Sequence, residues 1–355
     1  IAVFDLSDLT LAARSIAIHA QDPRALAVSP DGKTVYAAIF ESGNASTALF
    51  GGFSRTDPRL PNVVNDVRGP YGGVNPPPNA GTGFNPLVNP VAIPPRVSLI
   101  VRRDANRRWM DDNQHDWTRF VSGDLAGASR RVQGWDVVDR DIAVIDAANL
   151  SVRYVTGLMN IGMALSVKPD GEVTLVGTDA TNEIRYEPNV KGRFVKVELA
   201  RVSAVNAGAG NTSGNTLGNS VVDLNSHLKY ILQTEPQSAR DQSIGDPRAM
   251  VWRSDGQSAW IAGLGSNNVI AIDAQGRRIG APIRTGAGPA GLALDEAKAR
   301  LYVWNHFDAS LSVIDTAQRN EIARVPVFNP LPQAIRNGRA FLYATQKTSG
   351  LGQAS

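Results

Sequence analysis

DPRALAVSPDGKTVYAA, residues 22–38, places an alternating apolar run on each side of a Pro-Asp-Gly turn. A period of two puts every second side chain on one face of a strand. Asp-Gly supplies the positive φ that a tight reversal needs, so the stretch predicts a β-hairpin. The phrase returns as GMALSVKPDGEVTLVGT from Gly162, PRAMVWRSDGQSAWIAG from Pro247, PAGLALDEAKARLYVWN from Pro289 and, worn, PQAIRNGRAFLYATQ from Pro332. All but the fourth copy carry Asp-Gly or Asn-Gly; DEAKAR, 295–300, must turn differently.

A second phrase comes after the first: IAVFD at 1–5, IAVID at 142–146, EIRYE at 183–187, VIAID at 269–273 and LSVID at 311–315. Each leads through a polar turn into another apolar run, such as EIARVPV at 321–327. The predicted unit is four antiparallel strands, A to D, recurring every roughly 40 residues where nothing is inserted. One such unit cannot bury both faces alone. Stacking units in a ring does so, which makes the fold class all-β and the architecture a β-propeller of four-stranded blades. A helical reading fails because turn signals arrive too often for the apolar period.

Composition agrees. The 355 residues include 33 Gly and 21 Pro with only 19% charged residues, a turn-rich balance. The net charge is +3 and the Arg residues are scattered, which argues against nucleic acid as a partner. No apolar run has membrane-spanning length. The absence of Cys excludes disulfides, thiolate metal sites and covalent haem attachment within these residues. The opening IAVFDLSDLT lacks the basic start and cleavage site of a signal peptide and reads as a strand, so something is expected upstream of it.

The phrases resemble the YVTN-type β-propeller repeat, with its Pro at the start of strand A, its SPDG hairpin and its VSVID-like strand C. Counted this way, the chain holds strands C and D, four full blades, and a final A and B: five blades' worth. Pairing the ends would close a five-bladed ring. A narrower resemblance favours a length of a larger ring. NEIRYE, DLNSHLKY, LDEAKARLYVWNHFDASLSVIDT and the ending FLYATQKTSGLGQAS resemble segments of bacterial propeller proteins that carry a c-type cytochrome module. That resemblance implies a seven-bladed ring, a periplasmic or extracellular location, and a Cys-x-x-Cys-His haem site in an adjoining domain outside these residues.

Two insertions interrupt the repeat, residues 45–140 between strands B and C and residues 203–245 between strand D and the next strand A. In a meander both kinds of connection leave from the same side, so both are expected to decorate one face of a single propeller domain. The first has a Pro- and Gly-rich half expected to lie as an irregular lid. Its second half, VSLIVRRDANRRWMDDNQHDWTRF, opens on an apolar run that predicts an extra strand. The charged residues after that run have two readings. One is a Ca²⁺ loop through Asp104, Asn106, Asp111 or Asp112, since a hard cation wants several oxygens from one turn. A hairpin over packed Trp residues with a charge-paired rim is the favoured one, because the spacing does not fit an EF-hand. Trp109, Trp117 and Trp135 are candidate binding-face aromatics. The four His residues, His19, His115, His227 and His306, all fall in connections on the insertion-bearing side, and imidazole is a common haem or metal ligand. Each is isolated in sequence. His227 stands out because its neighbours carry part of the narrower resemblance.

Three functions are compatible with these residues. The first is a non-catalytic module that covers or docks the haem domain of the same parent protein, or a redox partner, in electron transfer. The second is a stand-alone enzyme, such as a metal-dependent lactonase or hydrolase. The third is an interaction scaffold. GAGNTSGNTLGNS, 208–220, lacks the Lys of a phosphate loop, and no Gly-x-Ser-x-Gly elbow occurs.

Overall fold

The computed structural model describes residues 1–51, 61–76, 98–104, 106–131, 138–180, 195–209, 212–213, 216–230 and 234–353. A short pair, β1 (Ala2–Val3) and β2 (Arg14–Ser15), precedes four meander sheets. Blade 1 is β3 (Gln21–Val28), β4 (Thr34–Glu41), β8 (Ile142–Asp146) and β9 (Val152–Thr156). Between β4 and β8, the inserted β5 (Ser46–Leu49), β6 (Leu99–Arg103) and β7 (Trp109–Met110) form their own sheet. Blade 2 is β10 (Ile161–Val167), β11 (Val173–Ala180), β12 (Val195–Val202) and β14 (Ser220–Asp223). Before β14, β13 (Thr212–Ser213) pairs in parallel with β9 of blade 1. Blade 3 runs β15 (Pro247–Trp252), β16 (Ser258–Gly263), β17 (Asn268–Asp273) and β18 (Ile283–Arg284). Blade 4 runs β19 (Pro289–Asp295), β20 (Arg300–Asn305), β21 (Ser310–Asp315) and β22 (Asn320–Pro326).

These are propeller blades: every pairing within them other than that of β13 is antiparallel, and the inner strands β3, β10, β15 and β19 succeed one another in contact. The hairpin turns obey the sequence. Gly32, Gly171 and Gly256 take positive φ. The fourth hairpin puts Ala299 in the left-handed position at φ 50°.

Blades stack through apolar faces. Trp260, Ala262, Val269, Ala271 and Ile283 of blade 3 pack against Leu301, Val303 and Ile314 of blade 4. In blade 4 the repeat equivalents of Trp260 and Ala262 are Tyr302 and Trp304. Ala262 is fully buried, yet Trp304 is 37% exposed. At the other end Leu26 and Val28 are 58% and 55% exposed, whereas their equivalents Met250 and Trp252 pack in the core between blades 2 and 3. Ile1, Ile18 and Ala20 cover Ala37, Ile39 and Ala143 on that side of blade 1.

Three expectations need correction. The copy from Pro332 is not a hairpin: Gln333–Tyr343 is an α-helix, and its Asn337-Gly338 lies inside it without a positive φ. A strand here needs an edge to pair with, and among the described residues β1 and β2 pair with each other, so no described strand joins the two ends into a ring. The third strand of blade 2 is β12 rather than EIRYE, which lies outside the described residues. Consequently residues 203–219 join the third and fourth strands and leave from the side opposite the first insertion. Only the part after β14 leads to the next inner strand on the insertion-bearing side, so the segment 203–245 divides between the two faces.

Candidate functional site

The first insertion builds a small body with its own core of Leu49, Val63, Val64, Leu99, Val101, Trp109, Trp117, Phe120, Val121 and Leu125. The expected extra strand is β6. Trp109 and Trp117 are 2% and 0% exposed, so they are core and not binding-face aromatics; the apolar area of an indole is best spent under a hairpin. Trp135 lies outside the described residues. Much of the Pro-rich lid, residues 77–97, does too.

The proposed cation ligands hold this hairpin together. Asp104 Oδ1 accepts from the backbone N–H groups of Asn106 (2.9 Å) and Arg108 (2.8 Å), and Oδ2 accepts from the Arg108 guanidinium at 2.9 Å. Asp111, 3% exposed, accepts from the N–H groups of Asn113 and His115 at Oδ1, and from Tyr71 Oη and Trp117 Nε1 at Oδ2. Its lone pairs are committed to N–H and O–H donors, which does not fit a Ca²⁺ ligand. Asn106 contributes its N–H to the same turn, and Asp112 is exposed on the rim.

The His residues do not converge. His19 sits by blade 1, where its N–H donates to Tyr154 Oη at 2.8 Å. His115 packs at a tilt against Tyr71, with ring centroids 4.6 Å apart. His227 Nε2 lies 3.1 Å from the Ala239 carbonyl, beyond blade 2. His306 packs against Phe307 on blade 4. Among the described residues, no three His, Cys, Asp or Glu side chains gather as a metal site.

What the fold does bring together is a set of buried and half-buried acids where the insertion meets blades 1 and 2. Asp179, at the end of β11, accepts from Arg102 Nη2 at 2.8 and 2.7 Å through its two oxygens, and from Asn44 Nδ2 at 2.9 Å. Register places Lys196 opposite Asp179, and Glu198 between Gly177 and Asp223, all on one face of blade 2. Glu198 is 8% exposed, and its pKa is pushed up to about 7, first by burial and then by the charge of Asp179, with Lys196 opposing. Asp223 accepts from Tyr230 Oη at 2.6 Å, and burial pushes the Tyr230 phenol up. On the blade 1 side, burial raises fully buried Asp141 well above the carboxylate range, with the charge of Asp139 adding to it. Leu158 N–H donates to Asp141 at 2.9 Å. The junction can therefore hold a proton near neutral pH. Sequence reading missed it because its acids come from four chain segments; the one signal was polar residues at inward positions of strands, Asp179 and Glu198.

The other feature is the C-terminal segment. Thr345, Gln346 and Gln353 are 0%, 6% and 2% exposed. Thr345 N–H donates to the Gly265 carbonyl (3.0 Å), and Gln346 Nε2 to those of Asp241 (3.1 Å) and Ser243 (3.0 Å). Asn225 Nδ2 donates to Gln353 Oε1 at 3.0 Å. The segment thus crosses the loops of blades 2 and 3 on the insertion-bearing side. Gly245 and Gly265 make the approach possible, since a Cβ on either would run into the Thr345 side chain.

No family model and no curated protein matches the chain. Solved structures do. The periplasmic gluconolactonase PpgL of Pseudomonas aeruginosa is 13% identical over 94% of this chain and 65% of that one, with a TM-score of 0.42. Hydrazine synthase of Kuenenia stuttgartiensis is 15% identical over 89% of each chain, with a TM-score of 0.38. A streptogramin B lyase structure is 15% identical over 54% of this chain, with a TM-score of 0.34; the chain spans 50% of that structure's length. At these identities and TM-scores the likeness says nothing of activity. Among the described residues, no helix is long and apolar enough to cross a membrane.

Proposed function

We propose that the chain is the non-catalytic β-propeller part of a periplasmic or extracellular c-type cytochrome protein, and that its insertion-bearing face covers or docks a haem domain or a redox partner. The observation that carries this reading is the course of residues 344–353. Gln346 Nε2 donates to the Asp241 and Ser243 carbonyls and Asn225 Nδ2 donates to Gln353 Oε1, which fixes them on the loops of blades 2 and 3 and directs whatever is joined to them to that face. Covalent haem attachment needs Cys, and the chain has none, so the haem would be attached in the adjoining domain. The half-exposed faces of blades 1 and 4, whose equivalents elsewhere are covered, support placing these blades in a larger ring. An acid–base enzyme is the second reading, and Glu198 with its pKa near 7 is the observation in its favour.

Intact mass and the visible absorption spectrum of the protein isolated from its source test the first reading. A mass well above 37.9 kDa with a Soret band is expected. A mass of 37.9 kDa with no chromophore would refute it. Turnover of lactone substrates by wild type that is lost in Glu198→Gln would establish the second.

A further inference from the structure

Two contiguous cavities lie between the C-terminal segment and the loops of blades 3 and 4, and they share Asn267, Ala287 and Ala344 as walls. The larger holds about 630 Å³ and the smaller about 90 Å³, together within the range of small-molecule sites. Their charged lining is lopsided. Arg284 and Lys347 face the first, and Arg336 and Arg339 the second, against one carboxylate each, Asp241 and Asp308.

Both carboxylates are already engaged. Asp241 Oδ1 accepts from Gln237 Nε2 at 2.7 Å and lies 3.3 Å from Arg284. Asp308 Oδ2 accepts from the N–H of Ala287 at 2.5 Å. By contrast Lys347, Arg336 and Arg339 form no ion pair among the described residues. Arg339 lies over the Phe307 ring and donates to the Phe307 carbonyl, which fixes its guanidinium at the cavity edge. The sequence shows the same bias: from Ile322 to Ser355 there is no Asp or Glu, while Arg324, Arg336, Arg339 and Lys347 are present. Arg324 alone of these is paired, with Glu321.

We infer that this cleft is a binding site for a small molecule bearing at least two carboxylate or phosphate groups, one held by Arg284 and Lys347 and the other by Arg336 and Arg339. Three of these cations, Lys347, Arg336 and Arg339, have no acid partner among the described residues, and ionised hydrogen bonds to them are the strong ones available here; Arg284 already shares Asp241. Asn267, whose Oδ1 accepts from the Gly288 N–H, keeps its Nδ2 as a neutral donor that suits a hydroxylated ligand.

Calorimetric titration of the full chain at fixed ionic strength tests it, with citrate and pyrophosphate as two-headed probes and inorganic phosphate as the single-headed control. Saturable one-to-one binding of a two-headed probe, tighter than that of phosphate, is expected, and the better of the two identifies the group as carboxylate or phosphate. The double variant R339Q/K347Q should bind roughly tenfold or more weakly, while Lys33→Gln, on an exposed hairpin turn elsewhere, should leave binding unchanged. Thermal unfolding of the double variant reports whether it is folded; should it not be, the single variant Arg336→Gln, at an exposed helical site, carries the same expectation. No saturable binding, equal affinity for phosphate, equal affinity in the variants, or an equal loss in Lys33→Gln would each overturn the assignment.

Discussion

Replacing Glu198 by Gln tests the buried junction directly. Its carboxyl titrates at about 7 in the folded protein against an ordinary 4.5. Below about pH 4.5 both folded and unfolded chains carry the proton, and the group adds no pH dependence. Between the two values the folded state holds the proton and the unfolded state has released it, so stability falls as pH rises, by about 1.4 kcal/mol per pH unit. Over the whole window the loss approaches about 3 kcal/mol, and above pH 7 it is constant. Gln keeps the shape of the protonated acid and carries no charge. The variant is therefore expected to gain about 2–3 kcal/mol relative to wild type on going from pH 5 to pH 8. Asp139 and Asp141 are raised in the same direction, but they are present in both proteins and cancel in the comparison. Urea unfolding followed by Trp fluorescence at the two pH values, at constant ionic strength, measures it. An identical stability difference at pH 5 and pH 8 would refute the placement of Glu198 in a desolvated, acid-flanked position.

Other perturbations separate the remaining parts. Asp111→Ala leaves the Tyr71 and Trp117 donors and two backbone N–H groups without their acceptor, and should destabilise the inserted body by about 3 kcal/mol or more; amide exchange should rise in β6 and β7 while blades 3 and 4 keep their protection. Gly245→Ala drives a methyl into the Thr345 side chain, a clash worth about 1–3 kcal/mol, and limited proteolysis should then cut the C-terminal segment while sparing the blades. Trp260→Ala empties the joint between blades 3 and 4, and a loss of about 3–5 kcal/mol in chemical denaturation is expected.

The hairpin phrase alone was enough for the blades. Period-two alternation and an Asp-Gly turn are local properties, and Gly32, Gly171 and Gly256 adopt the positive φ that the turn requires. The same locality explains the buried Trp109 and Trp117, for which a packed hairpin was the better reading than a binding patch. Where the local signal was worn, the reading failed. PQAIRNGRAFLYATQ kept the repeat's Pro and its Asn-Gly, but a strand exists only beside another strand, and with no partner edge the segment is helical. EIRYE looked like a third strand because it alternates, while β12 took that place by pairing along the whole of β11.

Site chemistry was legible only as a list of residue types. The sequence could name four His and the acids of the first insertion, and could place their loops on one side of the ring by counting strands. It could not bring Asp179, Glu198, Asp139 and Asp141 together, nor see that Asp111 spends its oxygens on its own hairpin. Neither could it foresee a C-terminal segment laid across blades 2 and 3 between two glycines. Strand period and turn chemistry are set within a few residues, so the chain determines them by itself. Desolvation, charge proximity and close backbone approach arise between segments far apart in the chain, and only the packing of blade on blade decides them.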